Sequence, residues 1–172
     1  MYSPLAVLPL HLACQLIDAD NFTATNVSLV LDRSLVPKVA TELPDGYAVF
    51  PDIGVAYKVY KNKLLWDKAQ KICIADGGYL AVLDSFRKVE VATGLKETSA
   101  NPYVGFHRIF DSTEWTEMKT GLTAVAIPWR SDSPDSDATR KCVTLWADGS
   151  GLYATRCNEV HPFICEVPIF KE

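Results

Sequence analysis

Histidine is scarce in this chain, with three among 172 residues, and no second His or Cys-x-x-Cys stands at the spacing a zinc site needs. His107 and His161 therefore read as structural or surface groups. Basic clusters are missing too. Lys and Arg number 17 against 21 Asp and Glu, for a formal net charge of −4. Their scatter argues against nucleic acid, whose phosphates call for a basic stripe or patch. No apolar run reaches the roughly 20 residues of a membrane span. The phosphate-cradling loop and the dinucleotide fingerprint are absent. Gly149-Ser150-Gly151 reads as a flexible tip, because the Gly-x-Ser-x-Gly nucleophile elbow is not there. With no cysteine in a catalytic context either, the sequence does not point to an enzyme.

What is present is an ordinary globular composition, 48% hydrophobic and 22% charged, long enough for one domain with a core and a tail. Residues 1–17 carry no charged side chain and are interrupted by Pro4 and Pro9. They read as a secretory signal, with cleavage after Ala13 or Ala19 and residues 1–19 as its extent. Asn21-Phe22-Thr23 and Asn26-Val27-Ser28 are glycosylation sequons, meaningful in a secreted chain. Residues 20–45 then form a glycosylated lead-in, and cleavage beyond Cys14 would reduce five cysteines to four, an even number suited to an oxidising compartment.

From Gly46 the texture changes. Tyr47–Phe50 and Val55–Tyr60 are rich in aromatic and β-branched residues and read as strands joined by a Pro51–Gly54 turn. A helix is expected after the polar Lys61-Asn62-Lys63, with Trp66, Ala69 and Cys73 on one face and Gly77-Gly78 as its stop. Tyr79–Leu83 reads as a strand, and Ser85 as the N-cap of a second helix carrying Phe86, Val89 and Leu95. Beyond Pro102 the strand candidates are Tyr103–His107, Trp115–Met118, Cys142–Trp146 and Phe163–Val167. Helices early and antiparallel strands late describe an α+β domain over residues 46–168, with 169–172 as a tail. Trp66, Tyr103 and Trp129 read as core. Trp146 and Tyr153 could stack on a sugar face or fill the core.

Cys142 and Cys157 enclose fourteen residues, and Cys165 follows eight positions later at the end of an apolar segment. A nested arrangement would join Cys73 to Cys165 and Cys142 to Cys157, but four cysteines allow three connectivities.

The order of these features resembles a C-type lectin-like domain. The tryptophan-bearing helix ends in cysteine, Asp76-Gly77-Gly78-Tyr79-Leu80-Ala81 follows, and Ser85 opens the second helix. Tyr103-Val104-Gly105-Phe106 stands where that family has its Trp-Ile-Gly-Leu core strand, and Trp129, Pro134, Cys142, Cys157 and Phe163-Ile164-Cys165-Glu166 fall in family order. The Tyr47–Pro51 lead and the Val104–His107 variant resemble insect haemolymph lectins of the immulectin or lipopolysaccharide-binding group. The resemblance covers about 120 residues, one domain's worth. It implies the nested disulfides Cys73–Cys165 and Cys142–Cys157, two helices, antiparallel sheets and a long irregular loop region where family members bind calcium and sugar.

In those members calcium is held by a Glu-Pro-Asn or Gln-Pro-Asp triplet, a Glu two residues before the third cysteine, and an Asn-Asp pair before the fourth. The matching positions here are Ser133-Pro134-Asp135, Arg140, and Tyr153 with Ala154, so only Asp135 keeps a strong oxygen ligand. Calcium needs 6–8 oxygens. A guanidinium about 5 Å from a divalent ion is repelled by on the order of 6 kcal/mol at an effective dielectric near 20. Calcium binding is therefore expected to be lost, with no metal or other cofactor in its place. Asp132, Asp135 and Asp137 read as a solvated acidic loop, or as a loop in which Arg140 takes the ion's place by pairing with Asp135 or Asp137. The family's cis bond before the triplet proline is expected to persist at Ser133–Pro134.

The candidate ligand-binding loop is thus Ser133, Pro134, Asp135, Arg140, Trp146 and Tyr153. The expected function is a secreted pattern-recognition module for glycans or microbial surface polysaccharide. The alternative is a calcium-independent protein-binding domain that has lost sugar, with a protein partner instead.

Overall fold

The computed structural model describes residues 43–169. The expected signal, Cys14, the sequons at Asn21 and Asn26, and almost all of the lead-in lie outside the described residues. No helix among the described residues is long and apolar enough to cross a membrane.

The elements run β1 (Ala48–Phe50), β2 (Val55–Leu64), α1 (Trp66–Ala75), β3 (Tyr79–Leu80), α2 (Phe86–Leu95), β4 (Tyr103–His107), β5 (Thr116–Glu117), β6 (Cys142–Leu145), β7 (Leu152–Thr155) and β8 (His161–Pro168). One sheet has the order β1-β2-β8-β4-β6-β7, with β3 paired to β8 and β5 to β4. Pairing is antiparallel except between β4 and β8, which meet at Tyr103 and Phe163. This is the α+β class the sequence indicates.

The apolar periods explain the framework. Trp66, Ala69 and Cys73 bury one face of α1 as their spacing predicts, joined by Gln70, whose Oε1 accepts the Leu80 amide at 2.9 Å. Gly77, at φ 87°, takes the left-handed step that stops α1, and the Gly78 amide closes the turn onto the Cys73 carbonyl at 2.9 Å. Ser85 caps α2 by accepting the Lys88 amide at 3.3 Å. All five residues of β4 are buried, and Gly105 is glycine for lack of room: a Cβ there would lie 2.1 Å from the Leu80 carbonyl oxygen.

Both expected disulfides are present. Cys73–Cys165 ties α1 to the central strand β8, and Cys142–Cys157 joins the start of β6 to the turn after β7.

Several local expectations are corrected. The Lys61-Asn62-Lys63 stretch extends β2 rather than interrupting it, and its side chains are exposed, so polarity there marks solvent and not a turn. The strand at Tyr79 stops at Leu80, yet Ala81, Val82 and Leu83 are completely buried, because the Ala81 amide and carbonyl bond to Ile164 and Gly105. Phe86 is 78% exposed, since the covered face of α2 is Lys88, Val89, Val91 and Ala92. Strand β7 was not anticipated.

Candidate functional site

The hairpin of β6 and β7 carries the site. Its turn is tight: the Trp146 amide donates to the Gly151 carbonyl at 3.0 Å, and Gly149 adopts φ 77°. Residues 128–130 lie alongside β7, with the Leu152 amide donating to Pro128 at 2.9 Å and the Arg130 amide to Leu152 at 3.0 Å. Gly151 permits this approach. A Cβ there would stand 2.6 Å from the Arg130 nitrogen, and φ is 141°. Gly149-Ser150-Gly151 is therefore a built close contact and not a loose tip. Trp129 packs edge-on against Trp115 at 4.9 Å and is half-buried against the core.

From Arg130 the chain enters the irregular loop, and arginines hold it. The Ser133–Pro134 bond is cis. Ser133 Oγ accepts the Ala154 amide at 2.9 Å, pinning the loop to β7. Arg140 reaches both aspartates, with Nη1 at 2.8 Å from Asp135 Oδ2 and Nε at 3.4 Å from Asp137 Oδ2. Its Nη1 also donates to the Tyr153 hydroxyl. Arg156 adds a contact to Asp137 at 3.5 Å. Arg108 donates from Nε to the Arg140 carbonyl at 3.0 Å and from Nη2 to the Asp137 carbonyl at 2.8 Å. Asp137 Oδ1 further accepts the Thr139 amide and hydroxyl at 2.9 and 2.6 Å. These bonds from Thr139, with the flanking arginines, hold the Asp137 carboxyl below its ordinary range. The solvated-loop reading is corrected, because each of the three acids has an arginine: Asp132 pairs with Arg130 at 3.0 Å.

The aromatic pair sits beneath these cations. Trp146 and Tyr153 rings lie 4.9 Å apart. Arg130 stands over Trp146 at 4.2 Å, and Arg140 over Tyr153 at 5.2 Å. Both aromatics are half-buried, so each is partly core and partly surface.

Five of the six candidate residues form one connected group: Arg140 binds Asp135 and Tyr153, Tyr153 meets Trp146, and Ser133 holds β7. Pro134 is exposed at its edge. Arg130, Arg108 and Arg156 were missed by sequence reasoning. Their partners are carbonyls, a hydroxyl, aromatic faces and acids at irregular separations, so no spacing marks them. His107 is buried against Trp66 at 5.2 Å, a structural position. Among the described residues no group of three or more His, Cys, Asp or Glu is arranged to hold a metal.

A sheet with two flanking helices, nested disulfides and an irregular loop on a terminal hairpin defines a lectin-type domain. The family model for the lectin C-type domain matches residues 62–167, and the chain belongs to that family. It is similar to the hemolymph lipopolysaccharide-binding protein of Periplaneta americana, 29% identical over 146 residues, covering 77% of this chain and 56% of that protein. Among solved structures it resembles the carbohydrate-recognition domain of mouse scavenger receptor C-type lectin, with TM-score 0.66 and 19% identity over 75% of this chain and 98% of that one. A calcium-independent type II antifreeze protein gives TM-score 0.66 at 17% identity, covering 74% and 95%. The chain spans 25%, 56% and 8% of the length of the first three curated relatives it matches.

Proposed function

We propose that the chain is a secreted, innate-immune type recognition module that binds glycan or microbial surface polysaccharide without a calcium bridge. One observation carries this reading: the Arg140 guanidinium, at the position where the resemblance puts a calcium-ligating glutamate, lies between Asp135 and Asp137. Arg140, with Arg156 beside Asp137, offsets the charge of the two acids that would otherwise attract a divalent ion, and no bound metal is needed. The aromatic pair with Arg130 and Arg140 then offers guanidinium donors beside half-buried rings, chemistry suited to hydroxyls and anionic groups on a saccharide. The cockroach relative's name, a lipopolysaccharide-binding protein, and the two disulfides support an extracellular setting.

The test is a glycan array run in calcium and in chelator. Binding that survives chelator, and is weakened by Arg130→Ala or Trp146→Ala, is the expected result; binding abolished by chelator would overturn it. Calcium should leave Tm unchanged, since a ligand that does not bind the native state cannot stabilise it. Arg140→Glu with Ala154→Asp should restore only part of a calcium response, because Tyr153 still occupies one ligand position.

A second reading, a protein-binding domain that has lost sugar, is favoured by exposed apolar side chains on residues 108–127. Phe110, Leu122 and Val125 are 90%, 68% and 101% exposed. An array silent toward every sugar in both buffers would select it.

A further inference from the structure

The two disulfides meet solvent differently. Cys73, Cys165 and Cys142 are completely buried, and of the four bridged cysteines only Cys157 is partly exposed. The Cys73–Cys165 bridge lies in the core with Trp66, Ala69, Leu80 and Phe163. Cys157 instead borders an open depression of about 540 Å³, lined also by Ile109, Thr139, Lys141, Arg156 and Asn158. A basic residue precedes each cysteine of the short bridge, Lys141 before Cys142 and Arg156 before Cys157, and both line the depression.

The depression is cationic. Lys141 forms no ion pair with any described residue. Arg156 is half-exposed; it donates from Nε to Thr139 Oγ1 at 3.1 Å, and its contact with Asp137 is long, at 3.5 Å. No carboxylate lines the depression, although Asp137 offsets part of the Arg156 charge from beside it. Disulfide exchange depends on which sulfur can be reached and on the thiolate that attacks it. Access singles out Cys157, and the two cations favour a thiol that carries negative charge.

The turn that carries Cys157 has other supports. The Tyr103 hydroxyl donates to the Arg156 and Glu159 carbonyls, both at 2.8 Å, and the Trp66 amide donates to the Cys157 carbonyl at 3.4 Å. Opening the short bridge therefore leaves the turn seated on the framework.

We infer that Cys157 is a thiol-exchange site that takes a small anionic thiol into a mixed disulfide, with the thiol's carboxylates against Lys141 and Arg156. The external thiolate attacks Cys157 Sγ, and a new S–S bond forms there as the Cys142–Cys157 bond breaks. The electron pair leaves on Cys142 Sγ, which takes a proton from solvent. The external sulfur is oxidised and Cys142 is reduced. Carboxylates bound at Arg156 would draw it from Asp137 and Thr139, so the exchange would loosen the recognition loop. The chemistry itself does not depend on the glycan reading.

The experiment exposes the intact, folded protein to reduced glutathione, 2-mercaptoethanol and cysteamine, which carry negative, zero and positive net charge. Reactions are stopped by alkylation in denaturant, each cysteine is located by peptide mass spectrometry, and rates are compared per thiolate. Glutathione should add at Cys157, with Cys142 recovered as the alkylated thiol and Cys73–Cys165 intact, and it should react fastest and cysteamine slowest. Lys141→Glu should slow glutathione about 5-fold, the factor for reversing one charge about 8 Å from an anion in water, and leave 2-mercaptoethanol unchanged. Added salt should narrow the differences among the three thiols on the parent protein, a measurement that needs no variant. Amide exchange in the adduct should rise over residues 137–141 while β4 and β8 keep their protection. An adduct on Cys142, alkylation of Cys73 or Cys165 at the same rate, or no reaction short of denaturation would overturn the site. Equal rates for the three thiols would overturn its preference for an anion.

Discussion

Two carboxylates, one in the sheet and one in the loop, are held in opposite ways. Glu166 on β8 is completely buried; its oxygens accept the Val82 amide at 3.1 Å and the Tyr79 hydroxyl at 3.2 Å, and Lys88 stands 3.9 Å away. Burial pushes its carboxyl above the ordinary range despite these partners. Asp137 is a loop acid set among donors and guanidinium groups, and it is shifted down. The sheet is thus stabilised by removing surface from water, and it tolerates a charge at a cost. The loop buries little and is stabilised by directed polar contacts. Damage to the first should therefore be global, and damage to the second should remain local.

The largest test of that contrast is the long disulfide. Replacing Cys73 and Cys165 with alanine reopens a loop with a separation of 92 residues. It should cost about 4–5 kcal/mol, seen as a large fall in the denaturant midpoint. Gly105→Ala comes next, at about 3 kcal/mol or outright failure to fold, because the obstacle is the Leu80 carbonyl and backbone cannot swing aside. Removing Cys142–Cys157, with a separation of 15 residues, should cost about 3 kcal/mol. A loss from the short bridge larger than from the long one would break the division between a global framework and a local loop.

Arg140→Ala sharpens the comparison from the other side. It removes contacts to Asp135, Asp137 and Tyr153 together. Tm should fall by only a few degrees, since partly exposed ion pairs contribute little. Amide exchange across residues 131–141 should nevertheless rise sharply while β4 and β8 keep their protection. Arg140→Lys should rescue poorly, because one ammonium cannot reach two carboxylates and a hydroxyl in fork geometry. Exchange that rises equally throughout the sheet would show the loop to be part of the framework.

The same division explains what could be read from the sequence. Helix α1 was legible because packing against a core imposes a period and two glycines marked its end, Ser85 was legible from its capping chemistry, and the lectin-type fold came from the resemblance of the motifs and cysteine order, not from periodicity. Strand β7 was missed because Leu152, Ala154 and Thr155 are all buried, which erases the alternation that announces a half-exposed strand. At the site, Arg140 paired with Asp135 or Asp137 was one of two readings the sequence offered, and the structure shows both contacts. Arg108 and Arg130 could not be inferred, since a guanidinium that bonds carbonyls or covers an aromatic ring has no fixed sequence separation from its partner.

The smallest effect expected is the response to acid, and its sign differs between the two regions. Asp137 has a folded-state value below its unfolded one, so its contribution is present above the unfolded value, about 3.9, and is lost as pH falls through the lower folded value. Glu166 is raised. Its contribution is complete below its unfolded value, about 4.3, and is lost as pH rises through the higher folded one. As pH falls from neutral, the Glu166 site should therefore relax in favour of the fold first, and the loop should loosen once pH drops below about 3.9. Asp137→Asn should flatten the loop's acid response, and Glu166→Gln should raise Tm at neutral pH while leaving Tm near pH 3 close to that of the parent. Site-resolved amide exchange at the two pH values separates the regions, with residues 131–141 reporting one and residues 79–82 the other. If both lose protection together on acidification, the two carboxylates belong to one cooperative unit and the proposed independence of the loop is wrong.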